Sequence, residues 1–273
     1  MSEQRLWAYD RLVLWLEAIG CDSDGQVVLD AVTMGVGQGE LLVVQGGVAA
    51  GKSTLLKVAA VRRSPDRGAV WFAGRNVSAL QRASLPFVRR NIGYATPDSL
   101  LLPDETALAN VMLALAVRGE SIPDAESSAH DALALVGADG FAARRVRGLS
   151  SGQARQVSLA RAIVGPPPLV VADEPAALAD EDLRHKIVLA LAAVSQRGSA
   201  VLCGTADALL AEKLVGHGGR RINLAEGRIV GAPAVGLVPS LSGEAAGDQL
   251  AELRAQAGEE GEAEDLPAAR GPA

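Results

Sequence analysis

Gly46-Gly47-Val48-Ala49-Ala50-Gly51-Lys52-Ser53-Thr54-Leu55-Leu56, GGVAAGKSTLL, is the stretch on which the fold turns. Its first glycine is followed, after four residues, by Gly-Lys-Ser-Thr, the spacing of a P-loop. Just before it, ELLVVQ (40–45) is the near-continuous apolar run expected of a strand buried on both faces. A helix is predicted from Lys52. A glycine-rich turn between such a strand and a helix N-terminus aims several backbone N–H groups at one spot, where the helix dipole adds positive charge. The arrangement suits phosphate. Lys52 then reaches the β- and γ-phosphates of a nucleotide, and the Ser53 hydroxyl ligates Mg²⁺. A glycine turn that merely precedes Lys-Ser-Thr is the competing reading, and the strand–loop–helix context weighs against it.

A P-loop needs a second anion downstream to hold the cation. PLVVADEP (168–175) supplies one, an apolar run ending in Asp173 with Glu174 next. Asp173 is placed to hold Mg²⁺ through water, and Glu174 to polarise an attacking water.

Outward from these motifs, RLVLWLEA (11–18) and VVLDAVTMGV (27–36), separated by an Asp-Gly turn signal, predict an opening antiparallel pair. GAVWFAG (68–74), LVVADEP (169–175) and SAVLCGT (199–205) read as further strands, and RRINLAEGRIV (220–230) as a hairpin around Glu226-Gly227. Helices are predicted over about 106–136, broken near Ser121 and Pro123, after GLSSGQ (148–153), and over 183–196. Strands alternating with helices mean an α/β fold with parallel strands at its centre.

The bulk numbers agree. The chain has 273 residues, 49% of them hydrophobic, enough for a large core. No run approaches the roughly 18–20 apolar residues that cross a bilayer, and no signal peptide is read at the start. Cys21 and Cys203 form no metal-ligand pattern and are expected as buried, reduced thiols. Residues 232–273 hold eight acids against two bases, the whole of the net charge of −6. A near-neutral body with an acidic tail argues against a DNA-binding surface, and no nucleic-acid partner is expected. The tail is expected to be disordered.

Between the two motifs lies RGLSSGQARQVSLARAIVGPPPLVVADEP (147–175). Leu149-Ser150-Ser151-Gly152-Gln153, a helix with Arg161-Ala162 and the Asp-Glu-Pro strand together resemble the signature of ABC-type ATPases. The resemblance runs from about Leu12 to Val230, one ATP-binding cassette, and ANVMLALAVRGES and ADEP look most like the subgroup driving lipoprotein release, macrolide export and cell division. It implies the P-loop NTPase fold of the ABC ATPase type: a mixed-sheet core, an antiparallel β subdomain and an inserted helical subdomain over roughly 100–165. The cassette is then 1–231, with 232–273 as its tail.

By the same resemblance two cassettes face head to tail and sandwich ATP. The loop Gly46, Gly47, Val48, Ala49, Ala50, Gly51, Lys52, Ser53 and Thr54 holds the nucleotide, with Mg²⁺ on Ser53 and Asp173. Ser150, Gly152 and Gln153 address the ATP held by the opposite subunit. Ser151 stands where the family has the first glycine of a pair, and as a good N-cap it is expected to preserve anion binding. Asp180 is expected at the dimer seam. The implied partners are a membrane permease on a separate chain and a second ABC ATPase in a homo- or heterodimer. The implied location is the cytoplasmic side of the cell membrane, reached through a protein partner.

Four places depart from that pattern. The aromatic that stacks on adenine falls near Cys21 or Asp22, and no aromatic lies between Trp15 and Trp71. Val48 and Ala49 replace the usual serine and middle glycine, and an alanine forced to positive φ costs roughly 1 kcal/mol. Pro97 occupies the place of a magnesium-touching glutamine. Thr205-Ala206-Asp207 replaces Thr-His-Asp, and none of His130, His185 and His217 fills the gap. ATP binding is therefore expected to be intact and hydrolysis weakened. The alternative is a non-hydrolysing regulatory or scaffold subunit paired with an intact ATPase.

Overall fold

The structure, a computed structural model, describes residues 12–177 and 179–231. The expected acidic tail, 232–273, lies outside the described residues. β1 (Leu12–Ser23) and β2 (Gln26–Gly37) form the opening pair, joined at Asp24-Gly25, where both residues take positive φ, 50° and 77°. This is the conformation that an Asp-Gly hairpin turn demands. β1 also pairs antiparallel with β4 (Arg67–Phe72), which carries the short β5 (Arg75–Asn76), giving the order β2-β1-β4-β5.

The second sheet has six strands. They are β3 (Leu41–Gln45), β6 (Ile92–Ala95), β7 (Leu169–Asp173), β8 (Ala200–Thr205), β9 (Arg220–Ala225) and β10 (Arg228–Val230), in the order β10-β9-β3-β8-β7-β6. All neighbours are parallel except the terminal hairpin β9–β10. The side-chain period of two divides this sheet between two cores. Leu41 and Val43 of β3, Val170 and Ala172 of β7, and Val201 and Cys203 of β8 face the helical side. Leu42 and Val44, Leu169 and Val171, and Ala200 and Leu202 face α1 (Lys52–Ala59) and the antiparallel sheet. Burial on both faces explains why these strands read as unbroken apolar runs. Cys21 and Cys203 are both free and buried, as expected.

The helical side is completed by α3 (Ala107–Ala116), α4 (Ile122–Leu135) and α5 (Ser151–Ile163). Thr106 caps α3 by accepting from the Ala109 N–H at 3.1 Å. Ser121 is the N-cap of α4, but its hydroxyl donates to Asp124 instead of capping the backbone. The expected α/β architecture, with mixed sheet, antiparallel sheet and helices, is what the structure has. It also holds elements that the pattern reading does not anticipate: β6, the short α2 (Leu85–Arg89) and α7 (Ala208–Gly216). α6 (Glu181–Gln196) starts two residues earlier than predicted, because Asp180 caps it by accepting from Leu183 N–H at 2.8 Å.

Candidate nucleotide site

β3, β7 and β8 end side by side. Gln45 is in register with Thr205, and Asp173 with Gly204, so the glycine-rich loop, Glu174 and the 205–207 turn meet at the carboxyl edge of the sheet. Ligands bind at that edge in open α/β folds. The loop is tied there by Gly46 N–H, which donates to Thr205 C=O at 3.2 Å. A Cβ at Gly46 would lie 2.4 Å from the Leu224 carbonyl oxygen, so only glycine fits. Gly51 caps α1 with φ 97° and no side-chain bond, leaving the first N–H groups of the helix unclaimed by a cap. Ala49 has φ 63°, the strained backbone expected for this substitution, and Val48 is 94% exposed.

Lys52 is buried and donates to the carbonyls of Gly46 and Gly47, each at 2.8 Å, with Glu174 Oε1 at 3.5 Å. Asp173 is buried too, and its Oδ1 has no hydrogen-bond partner. Burial pushes its carboxyl above the usual aspartate range, the Ser53 hydroxyl beside it pulls the other way, and Glu174 adds to the rise. An orphaned carboxylate oxygen beside a hydroxyl is a fit for a hard divalent cation. Ser53 and Asp173 would hold it.

Glu174 sits at φ 49°, in the left-handed region. Its backbone N–H donates to Gly204 C=O at 2.9 Å. Ala206 N–H donates to Oε1 at 2.7 Å, and the Thr205 hydroxyl to Oε2 at 2.9 Å. Ala206 itself is exposed and carries no donor side chain. His130, His185 and His217 are all exposed, on α4, on α6 and at the end of α7.

Beside the loop opens a cavity of about 540 Å³, lined by residues 49–54, by Gln26, Val27 and Val28 of β2, and by Glu226 and Gly227. No aromatic ring is among them. Cys21 is buried in the core, and Asp22 pairs with Arg67 at 2.9 Å, so neither position expected to carry the stacking group faces the cavity. The Glu226-Gly227 turn closes it because Gly227 N–H reaches Ala50 C=O at 3.2 Å. A Cβ at Gly227 would meet the Val28 carbonyl at 2.4 Å. The sequence marks this pair as a hairpin turn and gives no sign that it folds over the loop.

Ser150, Gly152 and Gln153 do not line that cavity. Ser150, rather than Ser151, is the N-cap of α5, and Ser151 is the first helical residue. Ser150 Oγ accepts from Gln153 N–H at 3.2 Å, and Gln153 Oε1 accepts from Ser150 N–H at 3.0 Å, a reciprocal capping box. Gln153 is thus engaged in building the helix start. Pro97 follows β6, in a turn whose carbonyls at Ser99 and Leu100 accept from Arg161 at 2.8 and 2.7 Å. The glycine-rich loop with its cavity and the exposed helix N-terminus at Ser150 are therefore separate features of one chain.

Fold and loop together define a P-loop nucleotide-binding ATPase. The sequence profile described as ABC transporter matches residues 29–177. The cell division ATP-binding protein FtsE of Escherichia coli strain K12 is 33% identical over 207 residues, covering 76% of this chain and 92% of that protein. The Fe(3+) ions import ATP-binding protein FbpC of Streptomyces avermitilis is 35% identical over 197 residues, 72% of this chain and 56% of that one. The dimeric structure of MJ0796, a bacterial ABC transporter cassette, is similar at a TM-score of 0.73 and 27% identity, covering 79% of this chain and 96% of that one. The chain belongs to the ABC transporter family, as the ATP-binding subunit of an ABC transporter-type complex. Among the described residues no helix is long and apolar enough to cross a membrane.

Proposed function

We propose that this ABC-type ATPase binds Mg-ATP between two cassettes and hydrolyses it slowly, and that it works on a permease carried by a separate chain. Residues 46–54 hold the phosphates, with Lys52 leaving the Gly46 and Gly47 carbonyls to meet them. Mg²⁺ on Ser53 and Asp173 supplies charge neutralisation, and Glu174 orients the water. Ser150, Gly152 and Gln153 of the facing subunit close the site. The exposed Ser150 helix start, which does not line its own chain's cavity, supports that division of labour, as does the likeness to a dimeric cassette. Residues 1–231 form the cassette, with 100–165 as its helical subdomain and 232–273 outside it.

Ala206 carries the reading of slow turnover. Its side chain ends at Cβ, so the phosphoryl group in transfer lacks a donor there, and losing one such donor costs about 10²- to 10³-fold. Pro97 adds to it by offering no side-chain amide. These two residues also favour the second reading, a non-hydrolysing regulatory subunit. The likeness to a cell division ATP-binding protein supports the lipoprotein-release, macrolide-export and cell-division subgroup.

The permease has a fitting surface in a cleft of about 300 Å³ between α3, α5 and β6. Arg62, Arg89, Arg90, Arg118 and Arg161 line it with the exposed Leu113 and Val117, and no carboxylate is among its lining residues. A segment mixing acidic and apolar residues matches it. Light scattering with and without Mg-ATP tests the central reading. Wild-type protein should form a long-lived dimer without any substitution at Glu174, whereas a chain that stays monomeric at saturating ATP would refute it.

A further inference from the structure

We infer that Thr205 is the positioning residue that holds Glu174 for reaction, using contacts that survive the absence of a donor side chain at 206; this rests on Glu174 as the group that orients water. Thr205 is fully buried, and both its hydroxyl and its carbonyl are committed to the site. Its hydroxyl donates to Glu174 Oε2 at 2.9 Å and accepts from Asp207 N–H at 3.0 Å. Its carbonyl accepts from Gly46 N–H at 3.2 Å, at the start of the phosphate loop. One residue thereby ties the loop, the carboxylate and the following turn together. The Asp207 end of that turn is fixed as well: Asp207 Oδ1 accepts from Leu209 and Leu210 N–H at 2.9 and 3.2 Å, and Arg184 donates to Oδ2 at 3.1 Å.

Glu174 needs such a hold. A non-glycine residue at φ 49° is in a conformation that persists only where its surroundings enforce it, and such outliers cluster at working sites. An ionised carboxylate offers about four acceptor positions. Two are taken, by the Thr205 hydroxyl and the Ala206 N–H, and the Lys52 ammonium lies 3.5 Å from Oε1 as an ion pair. When Lys52 turns to phosphate, Thr205 and the 206 amide are the contacts that remain. They leave acceptor capacity on the carboxylate for water while fixing its plane. A backbone N–H and a buried hydroxyl thus orient Glu174 with no contribution from the side chain at 206. Turnover is slow in this account because a phosphate donor is missing, and not because Glu174 is loose.

The test is single-turnover hydrolysis by the full chain at saturating Mg-ATP, alongside nucleotide affinity, for Thr205→Val, Thr205→Ser, Glu174→Gln and Thr205→Val with Glu174→Gln. Misplacing a reacting group by an ångström costs on the order of 10²-fold. Thr205→Val should therefore lose about that factor in rate, with ATP affinity within about twofold. Thr205→Ser, which keeps the hydroxyl, should restore the rate, and the valine should cost nothing more on top of Glu174→Gln. An unchanged rate in Thr205→Val would overturn the proposal. So would a serine variant as slow as the valine, or affinity falling in step with rate, since either marks a merely structural threonine. A wild-type rate in Glu174→Gln alone would remove the reading of Glu174 itself, and this proposal with it.

Discussion

The two ends of the nucleotide cavity are built by opposite means. At the phosphate end every feature is specific. Glycine is forced at 46 by a neighbouring carbonyl, Lys52 and Asp173 are buried charges, and Glu174, in a strained backbone, is held by two donors and an ion pair to Lys52. At the far end Gln26, Val27 and the Glu226-Gly227 turn offer a shallow wall with no ring. Holding a polyphosphate needs only charge and N–H groups, whereas reading a base and completing the transfer of its phosphate need particular side chains. In this chain the loop keeps its charge and N–H groups, and the proposal of slow turnover rests on Ala206 and Pro97 lacking the side chains of the second set.

Lys52→Ala should break the strong end. Its ammonium is the one buried cation of the loop, and hydrogen bonds to charged groups contribute about 1.5–3 kcal/mol each. Mg-ATP affinity should fall by about 100-fold or more in a calorimetric titration. Affinity within about threefold of wild type would mean that the nucleotide sits elsewhere.

The weak end can be sharpened by giving it what it lacks. Val27 is 60% exposed at the cavity wall, so Val27→Tyr places a ring there without disturbing the core. Stacking on a base gives about 1–3 kcal/mol. ATP affinity should rise about tenfold in equilibrium titrations, with a matching gain over inorganic triphosphate. No gain would show that the base lies away from β2.

The smallest effect tests strain in the loop. Ala49 at φ 63° should be relieved by Ala49→Gly, stabilising the nucleotide-free chain by up to about 1 kcal/mol. That is about 2–4 °C in Tm for a domain of this size. A fall in Tm of similar size would mean that the entropy glycine gains in the unfolded chain outweighs the relief.

The phosphate end was legible in the sequence because it is local. Residues 46–54 and 173–174 are two contiguous motifs, each announced by the buried strand in front of it. The fold was legible for the same reason, since β3, β7 and β8 are apolar runs whose burial on two faces leaves no alternation to confuse. β6 escaped because four residues at the edge of the sheet carry little pattern. The role of the Glu226-Gly227 turn escaped because its contact with Ala50 spans much of the chain. The cap is Ser150 and not Ser151, which local sequence leaves open because both are serines; only the capping box with Gln153 distinguishes them. Thr205 is a β-branched residue at the end of a strand, and nothing in its immediate surroundings says that its hydroxyl points at a glutamate 31 positions away.

Hydrolysis itself tests the central claim most directly. Single-turnover rates at saturating Mg-ATP, with dimer present, should be well below about 1 s⁻¹ for the wild-type chain, beneath the usual range for enzymes. Ala206 is exposed, so Ala206→His has room for its imidazole. That variant should raise the rate by about 10²-fold, with the gain abolished by adding Glu174→Gln. A wild-type rate of about 1 s⁻¹ or more, left unchanged by the histidine, would contradict the account: some other group would already be stabilising the phosphate in transfer.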